Sequence, residues 1–246
     1  MAALAVENEY DIYVDGVKVE HPDSVMVDGV AYAAAFFVVQ AMYPDAVATW
    51  ENEQTCIRAE GLTITARPGE PYMVANGRYL YLPGKVQVHP ETRNILLPVC
   101  ELGEAMGAKV SYDAAGVYLT NAGTGPILSG DLFYNATDLD LIARVIRHEA
   151  GNQPLTGKLA VGNVILNRVA SKQFPNNVYD VLYQKNQFPG ATNSTANAAC
   201  LIAAKLCMDG ANVAPGACWF NGVGKACWAS RNKSLVGVIG NHAFYG

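Results

Sequence analysis

The rhythm of hydrophobic and polar positions changes partway along the chain. Up to about residue 122, short apolar runs alternate with polar positions and stop at turn pairs such as Asp15-Gly16 and Asn76-Gly77, which predicts strands joined by tight hairpins. Helical stretches over 33–42 and 97–106 interrupt the strands. Sliding the chain by 61 to 62 positions superimposes one part of this region on the next: Tyr13-Val14-Asp15-Gly16 answers Val74-Ala75-Asn76-Gly77, and AVATW (46–50) answers AKVSY (108–112). Each copy reads as a strand with its turn, a helix, and two alternating strands that meet at a turn such as Asp113-Ala114-Ala115-Gly116.

From Thr137 onward the period becomes helical. Thr137 with Asp140 reads as a capping arrangement for a helix over 138–150. A second helix, 157–170, is apolar on nearly every side and is expected to be the buried centre of its domain. A short helix starts at Asn177, and another runs over 194–209. The predicted class is therefore α+β. An N-terminal α/β module of two strand-helix-strand-strand repeats (1–122) leads through a Gly-, Ser-, Thr- and Pro-rich linker (123–135) into a mainly helical domain (136–246).

The composition of 51% hydrophobic and 16% charged residues supplies enough apolar material for two cores. Charge separates the halves. Residues 1–125 carry 7 basic and 16 acidic side chains, and residues 126–246 carry 10 and 6. The acidic half is a poor partner for nucleic acid, whereas the basic half suits an anionic polymer such as a bacterial wall, or simply has a mixed solvated surface. No apolar run is long enough to span a membrane. Ala3-Leu4-Ala5 has the small-x-small form left at a signal cleavage site, so an extracytoplasmic protein with its signal peptide removed is expected.

Metal and cofactor chemistry finds no support. The six cysteines (56, 100, 200, 207, 218, 227) include no C-x-x-C pair, and His21 and His89, alone in the first half, lack a second ligand at useful spacing. His148-Glu149 opens a zinc-protease pattern, but Asn152 stands where its second histidine belongs. Cys200 and Cys207 sit about 10 Å apart on one helix, too far to bond each other. Either each pairs with Cys218 or Cys227, as in an exported protein, or the thiols are free and buried as small hydrophobes.

Glu149 carries the candidate chemistry. With Leu139 at zero and 100° per residue, the helix buries Ile142, Ala143, Ile146 and Ala150 within about 60°, and Glu149 falls at the border of that stripe. Two readings are open there. Glu149 is either a surface carboxylate paired with Arg144 or Arg147, or a half-buried one whose ionisation is opposed by desolvation and by the negative helix end, as a general acid requires. On the next helix Asn163 and Asn167 share a face, so they either brace loops or look into a cleft. Gln187, Phe188, Asn221 and His242 lie in loops or short strands, and Tyr183 ends the short helix. Aromatic rings with amides suit a sugar-binding groove, because rings stack on pyranose faces and amides bond hydroxyl and acetamido groups. Trp219, Phe220 and Phe244 could equally be core.

Two resemblances follow. The N-G-R…L-Y-L-P stretch (Asn76 to Pro83), the helix end around Glu101, Glu104, Gly107 and Ala108, and V-S-Y-D (Val110 to Asp113) resemble the copper amine oxidase N-terminal-like domain. That module accompanies bacterial wall enzymes, which implies an accessory role in binding the wall or in self-association, beside the simpler role of a spacer. The order A-R-V-I-R-H-E-A-G-N, G-K-L-A-V-G-N-V-I-L-N-R-V, F-P-N-N-V-Y-D-V-L-Y-Q, Q-F, W-F-N and I-G-N-H-A-F-Y closely resembles the catalytic domain of the SleB/CwlJ cell-wall hydrolases, the spore cortex-lytic enzymes. The resemblance implies a lysozyme-like fold, an essential glutamate at the position of Glu149, and peptidoglycan glycan strands cut between N-acetylmuramic acid and N-acetylglucosamine. The six cysteines depart from that family's pattern.

A hydrolase of the usual glycosidase kind needs two carboxyl groups. Asp131, Asp138, Asp140, Asp180 and Asp209 are the other acids of this half, and none has an obvious claim. A lytic transglycosylase forming 1,6-anhydro-muramic ends needs one. The alternatives are a muramidase-type hydrolase, a Cys-His hydrolase using His242, and a non-catalytic wall-binding protein. For any of them the setting is the cell wall or spore cortex.

Overall fold

The computed structural model describes residues 10–185 and 187–246, so the Ala3-Leu4-Ala5 signal lies outside the described residues. The chain divides into two compact units, 1–131 and 132–246. The class is α+β, with a strand-rich first unit and a mainly helical second one.

In the first unit the repeat is visible as structure. A hairpin of β1 (Asp11–Val14) and β2 (Val17–Lys18) answers one of β8 (Tyr72–Ala75) and β9 (Arg78–Tyr81). Next come β3 (Val25–Val27) and β4 (Val30–Ala34), answered by β10 (Gln87–Val88) and β11 (Ile95–Pro98). Helix α1 (Ala35–Met42) answers α2 (Val99–Met106). The hairpin of β5 (Val47–Glu51) and β6 (Gln54–Ala59) answers that of β12 (Ala108–Tyr112) and β13 (Gly116–Asn121).

The two copies exchange partners. The last strand of copy two, β13, pairs in parallel with β1, and β7 (Leu62–Ala66) joins β6 to β8 in a five-stranded sheet. Strands β4 and β11 pair antiparallel with each other. Each copy thus completes a sheet begun by the other. The core between them contains Ile12, Val38, Ile57, Ile64, Met73, Leu97, Leu102 and Leu119, all essentially excluded from water. The predicted helix starts at 33 and 97 are corrected to Ala35 and Val99, because Ala33 and Leu97 are opposite each other in the β4–β11 ladder. Local periodicity carries no information about such a distant partner.

The expected linker is partly packed. Ile127 donates its N–H to the Ala105 carbonyl and its own carbonyl accepts from Asn76 Nδ2, so residues near 127 belong to the first unit. A single turn, α3 (Gly130–Phe133), follows.

The second unit is built on α4 (Ala136–Ala150), α5 (Leu155–Ala170), α6 (Val178–Tyr183) and α7 (Ala198–Met208). It closes with β14 (Trp219–Gly222), α8 (Trp228–Asn232), β15 (Leu235–Ile239) and β16 (His242–Tyr245), the strands forming an antiparallel sheet in the order β14-β16-β15. As predicted, α5 is the central helix, packed by α4, α6 and α7. Gly162 allows the close approach: a Cβ there would lie 2.7 Å from Cys207 Sγ and 3.1 Å from Ile146 Cδ1.

Two expectations are corrected here, and the open alternative for the cysteines is resolved. Asn135, not Thr137, caps α4, its Oδ1 accepting from the N–H groups of Thr137 (3.0 Å) and Asp138 (3.1 Å). The helix expected from 194 begins at Ala198, capped by Asn197, and a separate 3-10 turn occupies Ala191–Asn193. Finally, all six cysteines are free. Cys200 and Cys207 are buried on α7, and Cys207 Sγ meets the Leu159 carbonyl (3.4 Å) inside the helix interface, where a thiol serves as a small hydrophobe.

Candidate active site

Glu149 occupies the last turn of α4, whose apolar stripe of Ile142, Ala143, Val145, Ile146 and Ala150 is buried. Arg144 turns away from it, pairing with Asp140 (2.8 Å) and donating to the Thr192 carbonyl (3.3 Å). Among the described residues Glu149 forms no ion pair. Its carboxyl is half-buried, and desolvation raises its pKa above the ordinary value against a smaller opposing effect of His148. The nearby carbonyl end of the helix dipole acts in the same direction as burial.

After α4 the chain turns at Gly151 and Gln153 and re-enters helix at Leu155. Gln153 Oε1 accepts from the Asn241 N–H (3.3 Å), tying this turn to the β15–β16 turn. His148 Nδ1 lies 3.2 Å from Ser194 Oγ.

The opposite wall is fixed by α5. Asn163 donates to the Ala211 carbonyl (2.6 Å) and accepts from the Val213 N–H (2.8 Å); Asn167 donates to the carbonyls of Ala214 and Ala217, both at 2.9 Å. Both amides therefore brace the loop that leads into β14. At the next residue, Arg168 Nε donates to the Cys218 carbonyl (2.7 Å), and its guanidinium lies 5.1 Å from the ring centroids of both Phe174 and Phe188. A single buried cation thus positions the start of β14 and the Phe188 loop together. Burial lowers its pKa to about 10, still far above neutrality.

In the sheet, Asn221 is opposite Ala243 and Gly222 opposite His242. The His242 ring meets Phe220 edge-on at 5.2 Å, and burial lowers its pKa, so the imidazole is neutral at physiological pH. Its Nδ1 is buried without a hydrogen-bond partner among the described residues.

Two depressions meet at Glu149. One, of about 590 Å³, runs past Arg147, His148, Gln153, Ser194, Thr195 and Asn241. The other, of about 640 Å³, is lined by Gln187, Phe188, Trp219, Phe220, Asn221 and His242 among others. Glu149 and Asn241 belong to both. Among the described residues lining either, Glu149 is the only carboxylate. Three of the other acids are engaged elsewhere: Asp140 with Arg144, Asp180 with Asn177 (2.8 Å), and Asp209 with the Tyr134 hydroxyl.

The structure therefore brings Glu149, Gln187, Phe188, Asn221 and His242 to one groove. It does not bring Asn167, whose amide is occupied with the 214–217 loop, or Tyr183, which is 53% exposed on α6 and packs against Tyr179 at 4.4 Å. Sequence reasoning missed Arg168 and Asn241 as groove residues. Each stood beside a recognised one, in N-R after Asn167 and in N-H before His242, but nothing local gave its direction. A larger depression of about 1230 Å³ lies in the first unit, around Asp11, Lys18 and the 113–116 turn. There Asp11 and Lys18, both partly exposed, pair at 2.8 Å, and the hydrogen bond from Lys18 holds the Asp11 carboxyl below its ordinary value. Among the described residues no cluster of His, Cys, Asp and Glu could hold a metal ion, and no helix is long and apolar enough to cross a membrane.

Residues 152–245 match the model of the Cell Wall Hydrolase family, so the resemblance of the second half is borne out over that stretch. The spore cortex-lytic enzyme of Bacillus cereus is 40% identical over 55 residues, covering 22% of this chain and 21% of that protein. The spore cortex-lytic enzyme of Halalkalibacterium halodurans is also 40% identical over 55 residues, covering 22% and 17%. The chain thus matches about a fifth of the length of these relatives. The crystal structure of the catalytic domain of the Bacillus cereus SleB protein is 27% identical, covers 46% of this chain and 92% of its own, and has a TM-score of 0.43. The family match begins three residues beyond Glu149, so the role of that carboxylate rests on its geometry.

Proposed function

We propose that the second unit cleaves the bond between N-acetylmuramic acid and N-acetylglucosamine in peptidoglycan, acting as a lytic transglycosylase with Glu149 as its one acid and base. The observation that carries this reading is that Glu149, half-buried and with a raised pKa, is the only carboxylate among the described residues of a groove that continues on both sides of it. The matches to the cell wall hydrolase family and to spore cortex-lytic enzymes support the substrate class.

The chemistry follows from one carboxyl group. Protonated Glu149 gives its proton to the glycosidic oxygen as the bond to C1 of muramic acid breaks, and the N-acetylglucosamine hydroxyl departs. The Glu149 carboxylate then takes the proton of the muramic acid C6 hydroxyl, whose oxygen closes on C1. The product is a 1,6-anhydro end, no water is consumed, and Glu149 is again protonated. Burial raises the pKa so that the acid form persists to higher pH than in a solvated glutamate, while the group remains a usable base. Trp219 and Phe220 offer partly exposed rings for pyranose stacking, with buried Phe188 packed against Phe220. Gln187 and Asn241 offer amides for hydroxyl and acetamido groups, beside Asn221, whose amide is bonded to the Lys225 carbonyl and the Gly222 N–H.

In this reading the protein works outside the cytoplasmic membrane, on cell wall or spore cortex, and the first unit is an accessory module that binds the wall or self-associates. Digestion of purified peptidoglycan by wild type and Glu149→Gln tests the assignment. The variant is expected to lose activity by about 10²- to 10⁴-fold; full activity in the variant would remove Glu149 from the reaction.

A further inference from the structure

Trp219 borders a second depression as well as the groove. This pocket, of about 340 Å³, is lined by Asn167, Ser171, Gln173, Cys218, Trp219 and Lys233 among others. None of them except Trp219 has a part in the reaction described above. Lys233 dominates its chemistry. Its ammonium stands 4.3 Å from the Trp219 ring centroid and 5.9 Å from that of Trp228, and the two indoles lie 5.9 Å apart. Trp228 is 59% exposed. Among the described residues no carboxylate pairs with Lys233. The amide of Asn167 is used by the loop it braces, which leaves the ammonium, Ser171 and Gln173 as the pocket's available polar groups.

An ammonium held between indole faces, with a hydroxyl and an amide nearby, suits a short peptide ending in a carboxylate: the cation takes the carboxylate, the rings cover its small aliphatic side chains, and the polar groups meet its amides. A peptidoglycan strand carries such a branch, the stem peptide, on the lactyl ether of its muramic acids. A strand seated beside Glu149 must direct that branch out of the groove, and the shared Trp219 makes this pocket the adjoining exit. We propose that the pocket lined by Lys233 and Trp219, with Trp228 beside the ammonium, is a branch subsite that binds the anionic stem peptide of the strand being cut. This rests on the peptidoglycan reading above.

The test compares two substrates made from one wall preparation: glycan strands bearing stem peptides, and the same strands after the peptides are removed by an amidase. Lys233→Met keeps the side-chain stem and removes the charge. It is expected to raise KM for peptide-bearing strands about tenfold with little change in kcat, and to leave KM for stripped strands at the wild-type value. Lys233→Arg should restore most of the loss, and Trp228→Ala, a change at an exposed side chain, should act in the same direction as Lys233→Met. Equal changes on both substrates, or no change on either, would overturn the branch subsite. The glycosidase reading is judged separately, by whether wild type cuts stripped strands at all. If it does and Lys233→Met is indifferent to the peptide, only the subsite falls.

Discussion

Glu149, at the end of α4, and Asn241, in the turn between β15 and β16, are the two residues shared by both halves of the groove. They lie 92 positions apart in sequence. A hydrogen bond from the Asn241 N–H to Gln153 Oε1 at 3.3 Å ties the segment after Glu149 to this turn, and the Asn241 carbonyl accepts from the Val223 N–H at 2.9 Å. Gly240 adds a steric constraint, since a Cβ there would overlap Gln153 Oε1.

The Gln153→Ala change releases that tether without touching a core side chain. Steady-state kinetics on peptidoglycan should show kcat lowered by about tenfold through misplacement of the reacting groups, with the melting temperature nearly unchanged. A variant with wild-type kcat would mean that the β15–β16 turn is positioned by other contacts.

Glu149→Gln should make the protein more stable at neutral pH while it destroys activity. Because burial raises the Glu149 pKa, the folded protein keeps a proton that the unfolded chain has already released between the ordinary and the raised values. The stability from this group is complete below its unfolded pKa and is lost as pH rises through the folded one. Thermal melts at about pH 7 should therefore place the Gln variant above wild type, with the difference closing at about pH 3, below the ordinary glutamate value of about 4.3. A variant less stable than wild type at neutral pH would contradict the burial argument. Wild-type activity should fall as pH rises through the same raised value.

Asn163 is 2% exposed and serves two backbone groups, the Ala211 carbonyl and the Val213 N–H. Replacement by Leu preserves size but leaves both without partners, at a cost of about 2 to 4 kcal/mol in urea unfolding. As that loop leads into β14, KM for peptidoglycan should rise as well. A cost under about 0.5 kcal/mol, the range of ordinary surface changes, would show that the loop is not braced from α5.

The cysteines should react as free thiols in two classes. Cys100 is exposed and Cys227 partly so, and hydrogen bonding from Ser230 lowers the Cys227 pKa, which favours its thiolate. Maleimide should label these two in the native protein and Cys56, Cys200, Cys207 and Cys218 only after unfolding. An intact mass lower by two hydrogens per bridge would reveal disulfides instead.

The sequence carried much of this picture where local rules decide. Asp15-Gly16 and Asn76-Gly77 form the expected hairpin turns with positive φ, and α5 is buried because its pattern is apolar all round. The half-buried place of Glu149 at the end of α4 was legible because a helix end, a stripe border and a chain reversal are all encoded within a few residues. What was not legible depends on distant partners. The ladder that pairs Ala33 with Leu97 shortens two predicted helices, and Asn167 could be read as facing either a cleft or a loop until Ala214 and Ala217 were seen to occupy it. Arg168 lies in a run that suggests only a buried helix. Its role appears when Phe174, Phe188 and Cys218 converge on one guanidinium.

The most direct test of a single-carboxylate mechanism is digestion of purified peptidoglycan by the wild-type protein in heavy-oxygen water, followed by mass spectrometry of the released muropeptides. The expected products carry 1,6-anhydro-muramic ends, one water lighter than reducing ends and free of the heavy isotope. Reducing ends that carry the heavy oxygen would contradict it, because water and not the sugar's own C6 hydroxyl would then have completed the reaction.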